Sequence, residues 1–376
     1  MKKGIVLYAY GSNSWIGGLY YIKNIAFMLA NNERFTKKYN IFIFVEDKNA
    51  EIFSDLPGKI KVVVKEKRED FEKKLFLFGF YLKNRIRYLF PACDLSSYPF
   101  IKSIAWIPDF QHNYLSHMFS EEELAKRTDE YTRVADDNFA LIVSSQTSKQ
   151  DFEKFYSDKK KYIAVVRFVS YIETEIKNLS KEEEVEILQK YDLLCSKYIY
   201  IGNQFWKHKN HIVVLKAIKV FLRKNPKSEV RFVFTGKMND YRNPDYNEGL
   251  KKMFLETEIS NHVINLGFIE RKEQLVIMKN AQFLIQPSLF EGWGTVVEDA
   301  KVLDKTILLS DISVHREQKN SKCILFEPNN EIQLAGLIEE QISKTRQESI
   351  ESGIKNMYQR AKEYSECFFE LLEKFK

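Results

Sequence analysis

The sequence predicts an α/β protein built from two doubly wound parallel sheets in tandem. Three observations predict it. Short runs rich in Val, Ile and Phe recur along the chain with helical patterns between them, the signature of parallel strands joined by crossover helices. The alternation runs to Phe168, gives way to a charged helical stretch from Ile176 to Lys190, and restarts at Tyr198. The chain has 376 residues, too many for one ordinary core and suited to two domains.

The elements follow in order. Gly4 to Tyr10 reads as a strand buried on both faces. Ile16 to Ala30 reads as a loop running into a helix. Ile41 to Val45, Ile60 to Val64, Ile101 to Ile107 and Phe139 to Val143 are further strand-like runs. Ser144-Ser145-Gln146-Thr147 follows, where the threonine–serine pair offers a cap for a helix from Lys149 to Tyr156, and Ile163 to Phe168 completes the first half. In the second half, Tyr198 to Gly202 is a strand ending in a loop, and Val213 to Leu222 is a helix. Val230 to Thr235, Val263 to Gly267, Ala281 to Ile285, Thr306 to Leu309 and Cys323 to Phe326 are strands with helical segments between them. Ile350 to Phe375 is long and amphipathic.

Composition narrows the function classes. Hydrophobic residues at 44% and charged residues at 29% fit a soluble globular protein. A net charge of +6 permits contact with phosphates or an anionic membrane without demanding either, and no dense basic stripe points to nucleic acid. Cys93, Cys195, Cys323 and Cys367 form no CxxC pair, which argues against structural zinc and a disulfide framework and fits a reducing cytoplasm. The start, MKKGIVLYAYGSNSWIGG, begins like a secretion signal. The apolar run is broken by Gly11-Ser12-Asn13 with no cleavage site, so a buried first strand is expected. No window reaches the roughly 18 apolar residues of a membrane span.

In open parallel sheets, ligands bind outside the carboxyl ends of the strands. The loops expected there hold Trp15, Trp106, Trp206 and Trp293, which suits a lined cleft, although tryptophans also serve cores. One such junction is SLFEGWGTVVEDA. A helix from Thr295 would bury Val296, Ala300 and Leu303, with Asp299 at the border of that stripe. Gly292 and Gly294 let a ligand approach the backbone, and a helix N-terminus attracts phosphate. Glu291 and Asp299 supply carboxylates for sugar hydroxyls. The same residues also fit a plain strand–loop–helix junction with acids near the positive end of the helix dipole.

A second junction is IGNQFWKHKNHIVVLKAI. Lys207, Lys209, His208 and His211 put positive charge at a helix N-terminus, a holder for a diphosphate or a solvated basic turn. The two histidines lack a third ligand for a metal. A third is AWIPDFQHNYLSHMF, where Pro108 and Asp109 end a strand and His112 lies beyond, either a reactive or a packing histidine. A fourth is YGSNSWIGGLYYIKN, in which Gly17-Gly18 precede a helix. It is neither a dinucleotide fingerprint nor a P-loop.

The segment from Glu291 to Asp299 resembles the donor-site signature of retaining glycosyltransferases of family 4, which have the GT-B fold. That signature has a glutamate, a glycine–aromatic–glycine step and a second glutamate eight residues after the first. Here the eighth residue is Asp299, with Glu298 one place early, so either carboxylate can take the second role. The resemblance implies that Glu291 contacts the transferred sugar and that the second carboxylate holds the ribose. It implies that Lys209-Asn210 matches the family's lysine step at the diphosphate. The family's arginine position falls near Asn203 or Gln204, so that charge is either missing or supplied by Lys207. By the same resemblance His112 stands at the reacting centre with Asp109 as orienting partner, and Gly17-Gly18 match the glycine-rich first loop. Thr235-Gly236-Lys237 resembles the strand end beside the nucleotide, and Asn265-Leu266-Gly267-Phe268-Ile269 the loop reading the base. Gly292, Trp293, Gly294 and Thr295 complete the donor site. The matches run from Tyr10 to Gln318.

The expectation is therefore a GT-B enzyme with two Rossmann-like domains facing a cleft. Residues 1–178 form an acceptor-side domain and 179–355 a donor domain. The 356–376 helix either packs back on the first domain or simply ends the second. The resemblance implies a metal-independent, retaining hexosyltransferase without a resident cofactor. It would use a nucleotide diphosphate sugar and a glycan or lipid-linked acceptor in cell-surface polysaccharide assembly. A sugar-nucleotide epimerase of the same fold and a non-catalytic sugar-nucleotide-binding scaffold are the alternatives. The stretch KKLFLFGFYLKNRIRYLF, Lys73 to Phe90, fits contact with an anionic membrane at the cytoplasmic face or a buried helix with a basic edge.

Overall fold

A computed structural model describes residues 2–9, 11, 16–65, 70–92, 98–137, 140–159, 161–344 and 348–374. Ser12, Asn13, Trp15 and Cys93 lie outside them. The chain divides into two compact units. The first comprises Met1–Phe110, Glu121–Tyr171 and Met357–Lys376, and the second Gln111–Ser120 and Ile172–Asn356.

The first unit carries β1 (Lys3–Tyr8), β2 (Tyr39–Glu46), β3 (Ile60–Lys65), β4 (Ile86–Phe90), β5 (Lys102–Ile107), β6 (Ala140–Val143) and β7 (Ile163–Val165). They form one sheet in the order β3-β2-β1-β4-β5-β6-β7, with parallel neighbours throughout. Ile5, Val6 and Leu7 are fully buried, as a strand covered on both faces requires. The end of the helix Ile350–Lys374 belongs to this core. Phe368, Phe369, Leu371 and Leu372 are buried, at about 2 kcal/mol of transfer free energy each. Phe368 meets Phe35 and Phe90 edge-on, and the Tyr88 hydroxyl donates to the Leu372 carbonyl at 3.2 Å.

The second unit carries β8 (Tyr198–Gly202), β9 (Arg231–Thr235), β10 (Val263–Asn265), β11 (Leu284–Gln286), β12 (Ile307–Ser310) and β13 (Cys323–Phe326). Their order is β10-β9-β8-β11-β12-β13, again parallel. The winding reverses between β8 and β11, and the crevice at such a reversal is where ligands bind in open parallel sheets. The loops leaving those two strands carry Lys209 and Glu291.

Several local expectations need correction. Lys73 to Phe90 is two elements, the helix Asp70–Lys83 and the strand β4, turned at Arg85 with φ 53°. The run has no proline at that point, and its aromatics continue through the turn, so the boundary left no mark. The helix expected from Lys149 starts at Gln146, with Ser145 as cap accepting from the Ser148 amide at 3.0 Å. The charged stretch Ile176 to Lys190 is broken between Glu173–Lys177 and Lys181–Lys190, because Ser180 and Glu183 form a capping box. Trp106 lies within β5 and not in a loop, its ring stacked on Tyr21 at 3.7 Å as core packing.

The helix Asp70–Lys83 has an unusual outer face. Leu75, Phe76, Phe78 and Leu82 are exposed, and so are Val62 and Val64 on the edge strand β3. Among the described residues, no helix is long and apolar enough to cross a membrane.

Candidate functional site

The loops after β8 and β11 are tied before any ligand enters. The Leu289 amide donates to the His208 carbonyl at 2.8 Å. The buried side chains of Asn203 and Gln286 exchange amide bonds at 2.8 and 3.2 Å. Gly236, at φ 140°, completes the joint: a Cβ there would stand 2.1 Å from the Asn203 carbonyl oxygen, so only glycine fits. Its amide donates to the Gly267 carbonyl at 2.7 Å, drawing in the loop after β10.

Glu291 and Lys209 meet in this frame at 2.6 Å, with side chains 10% and 19% exposed. Oε1 of Glu291 also accepts from the Ser288 hydroxyl at 2.7 Å and the Gln286 amide at 2.8 Å. Burial pushes the Glu291 carboxyl up, but the Lys209 ammonium and the Ser288 hydroxyl outweigh it and hold it below its ordinary value. The group is thus an ionised, oriented acceptor. Lys209 ends a short 3₁₀ turn, and Asn210 at φ 54° then starts the helix His211–Lys224.

His315 stands behind this pair. Its Nδ1 donates to the Ser310 carbonyl at 2.8 Å, and the Ser310 hydroxyl donates to the Ser288 carbonyl at 2.5 Å. Burial lowers the His315 pKa against the pull of Glu291, which favours the neutral ring. His211 is likewise uncharged: it stacks on Phe205 at 4.4 Å, and burial takes its pKa down to about 3. The cationic role expected of that histidine is therefore corrected, since a fully buried apolar niche cannot hold its charge.

The helix Thr295–Val302 begins where expected, but it buries Val297 instead of Val296, and both Glu298 and Asp299 are fully buried. Each acid has partners. Glu298 Oε1 takes Lys301 and Gln318, both at 2.9 Å. Arg271 grips Asp299 through two bonds of 2.6 and 2.8 Å. Gln318 also accepts from the Gly294 amide at 3.1 Å and donates to its carbonyl at 2.8 Å, so that amide is already engaged. Gly292 and Trp293 are buried and Thr295 half-buried. Tyr200, pushed up to about 12 by burial, keeps its proton and shares a 2.5 Å bond with Thr235 beneath the loops.

The remaining candidates are more dispersed. Lys207 is half-buried, with its amide on Asp240 at 2.9 Å. Phe268 is exposed, and the Lys237 ammonium lies 4.9 Å from its ring centre; Ile269 beside it is half-buried. Gly17 and Gly18 form the first turn of the helix Gly17–Ala30 in the first unit. Asp109 also belongs to the first unit, where its carbonyl accepts from the Tyr131 hydroxyl at 3.0 Å. His112 lies in the short helix Gln111–Tyr114, buried, within the segment that joins the second unit. Sequence reasoning missed Gln286, Ser288, His315, Gln318 and Arg271. A polar residue closing the apolar run Phe283-Leu284-Ile285 was the available sign of Gln286.

Two doubly wound parallel-sheet units, with the site at the switch point of the second, are the GT-B fold of glycosyltransferases. Residues 186–364 match the family model of glycosyl transferases group 1. It is 22% identical over 191 residues to the O-antigen chain mannosyltransferase RfbU of Salmonella typhimurium. That match takes in 51% of this chain and 47% of the relative, so it spans about half of that protein's length. The fold is similar to Anabaena HepE in complex with UDP, at TM-score 0.65, 13% identity and 99% of both chains. It is also similar to WaaG, a glycosyltransferase involved in lipopolysaccharide biosynthesis, at TM-score 0.60, 12% identity, 96% of this chain and 95% of that one.

Proposed function

We propose that this protein is a retaining glycosyltransferase that moves a hexose from a nucleotide diphosphate sugar to a hydroxyl of a glycan or lipid-linked acceptor. Cell-surface polysaccharide assembly is the setting suggested by the O-antigen and lipopolysaccharide enzymes it resembles. The observation that carries the reading is the half-buried Lys209–Glu291 pair at the sheet's switch point.

The acceptor oxygen attacks the anomeric carbon from the face the diphosphate leaves. The bond from that carbon to the phosphate oxygen breaks, and the acceptor proton passes to the departing phosphate. Lys209, Lys207 and the amides at Thr295 and Val296 offset the charge of the leaving diphosphate, so the chemistry needs no bound metal. Glu291, held ionised, accepts hydrogen bonds from the sugar. His112 approaches the reacting centre, with Asp109 as its orienting partner. Phe268, Ile269 and the Gly236 turn flank the base. The Asp299 carboxylate is already paired with Arg271 through both oxygens, so the ribose meets the pair and not a free acid.

The exposed apolar face of the helix Asp70–Lys83, with Lys74, Lys83 and the β3 lysines Lys61 and Lys65 beside it, supports peripheral contact with an anionic membrane. Lipid-linked acceptors reside there.

The test is a thermal-shift screen against GDP-, UDP-, ADP- and dTDP-sugars, with and without EDTA, on wild type and Lys209→Ala. A rise for one nucleotide, unchanged by EDTA and lost in the variant, is expected. Product analysis with a labelled donor then separates transfer from epimerisation, which would release a free isomerised nucleotide sugar. A shift without transfer overturns the reading in favour of a sugar-nucleotide-binding scaffold, and absence of both overturns it outright.

A further inference from the structure

The loop after β9 holds a buried cation that the donor chemistry above does not use. Arg242 has a side chain only 3% exposed. Its guanidinium lies over the rings of Phe119 and Trp206, 4.6 Å from each centroid. Asp240, 1% exposed, faces its Nε at 3.6 Å. Asp240 also shapes the loop, accepting from the amides of Lys207 at 2.9 Å and Arg242 at 3.1 Å. Next to it, the Asn243 side chain donates to the Met118 carbonyl at 3.4 Å.

The two rings come from different parts of the chain. Trp206 opens the turn that presents Lys209, and its carbonyl accepts from the Lys209 amide at 2.8 Å. Phe119 lies in the segment Gln111–Ser120, which also contains His112. At the other end of that segment, Tyr114 packs on Phe290, the neighbour of Glu291, at 5.7 Å between ring centres. The segment is thus fastened at both ends to the loops that carry Lys209 and Glu291.

We propose that Arg242 is a positioning residue that clamps the His112 segment to the Lys209 turn by stacking on Phe119 and Trp206. The planar guanidinium suits this role, because it stacks on two aromatic faces while keeping its charge toward Asp240. A lysine ammonium in its place would keep the charge without the planar stack. The functional half of the proposal rests on the glycosyl-transfer reading; the structural half does not.

The test compares Arg242→Ala, Arg242→Lys and Phe119→Leu in the full chain by hydrogen exchange and by steady-state transfer. Loss of the clamp is expected to speed exchange in residues 111–120 about tenfold, with the helix His211–Lys224 unchanged. Transfer is expected to lose about a hundredfold in kcat, with the KM for the donor and the nucleotide thermal shift retained. Arg242→Lys restores neither, and Phe119→Leu added to Arg242→Ala brings little further loss, since both break one contact. Unchanged exchange in 111–120, or exchange that rises equally throughout the unit, overturns the clamp. A fall in nucleotide affinity in step with kcat overturns the positioning role and makes Arg242 part of the donor site. If wild type transfers no sugar from any donor, the functional reading fails, and the exchange measurement still decides the clamp.

Discussion

Lys209 and Glu291 lie 82 positions apart and meet at 2.6 Å across the point where the second sheet reverses its winding. Among the described residues neither has another oppositely charged group within bonding distance, so each is the other's main compensation. Removing Lys209 leaves a buried carboxylate held by neutral donors alone. Lys209→Ala is expected to cost about 3 kcal/mol of folding stability in urea denaturation. A cost below about 1 kcal/mol would mean that Ser288 and Gln286 suffice to hold the carboxylate.

Arg271 and Asp299 define the second prediction. The aspartate is fully buried and its two oxygens take the two ends of one guanidinium. Asp299→Glu would install the residue of the family signature, but its extra methylene enters a filled niche and breaks the forked geometry. It is expected to destabilise the protein by about 2 kcal/mol and to weaken nucleotide binding. A variant with undiminished stability and tighter binding would show that the carboxylate serves the ribose unaided.

His211 gives a pH signature. Its pKa falls from 6.5 to about 3 on folding, so between those values the unfolded chain binds a proton that the native state refuses. The stability tied to its neutral ring is complete above pH 6.5 and drains away as the pH drops toward 3. His211→Phe, which keeps the stack on Phe205, is expected to flatten this acid limb in urea titrations across that range. An identical acid limb in the variant would assign the pH dependence to other groups.

The outer face of the helix Asp70–Lys83 predicts a lipid response. Wild type is expected to float with anionic vesicles and not with neutral ones, and Leu75→Asp with Leu82→Asp to abolish it. Flotation that survives the double substitution would move the contact elsewhere on the surface.

Much of the fold was legible because apolar β-branched runs here end in glycines or polar turns, as at Tyr198–Gly202 and Arg231–Gly236. Strand β4 was not, because Phe80-Tyr81-Leu82 and Ile86-Arg87-Tyr88 carry similar composition on both sides of a turn made by Arg85. In the site, Glu291 and Lys209 were legible as charges at strand ends. Their supports were not: Gln286, Ser288 and Gln318 act through neutral bonds that leave no charge pattern. Arg271 meets Asp299 only because β10 and β11 flank the same pair of strands, a proximity that no spacing encodes. His211 looked cationic because its neighbours are lysines, and only packing against Phe205 reveals its neutrality.

The first unit takes its last segment from Met357 onward, after every strand of both sheets has been specified. During synthesis, Phe35 and Phe90 must therefore wait for Phe368 to leave the ribosome. The second unit draws on nothing past Asn356, so its core does not depend on that last segment. For that interval the nascent protein presents an unfinished aromatic face, a natural foothold for a chaperone.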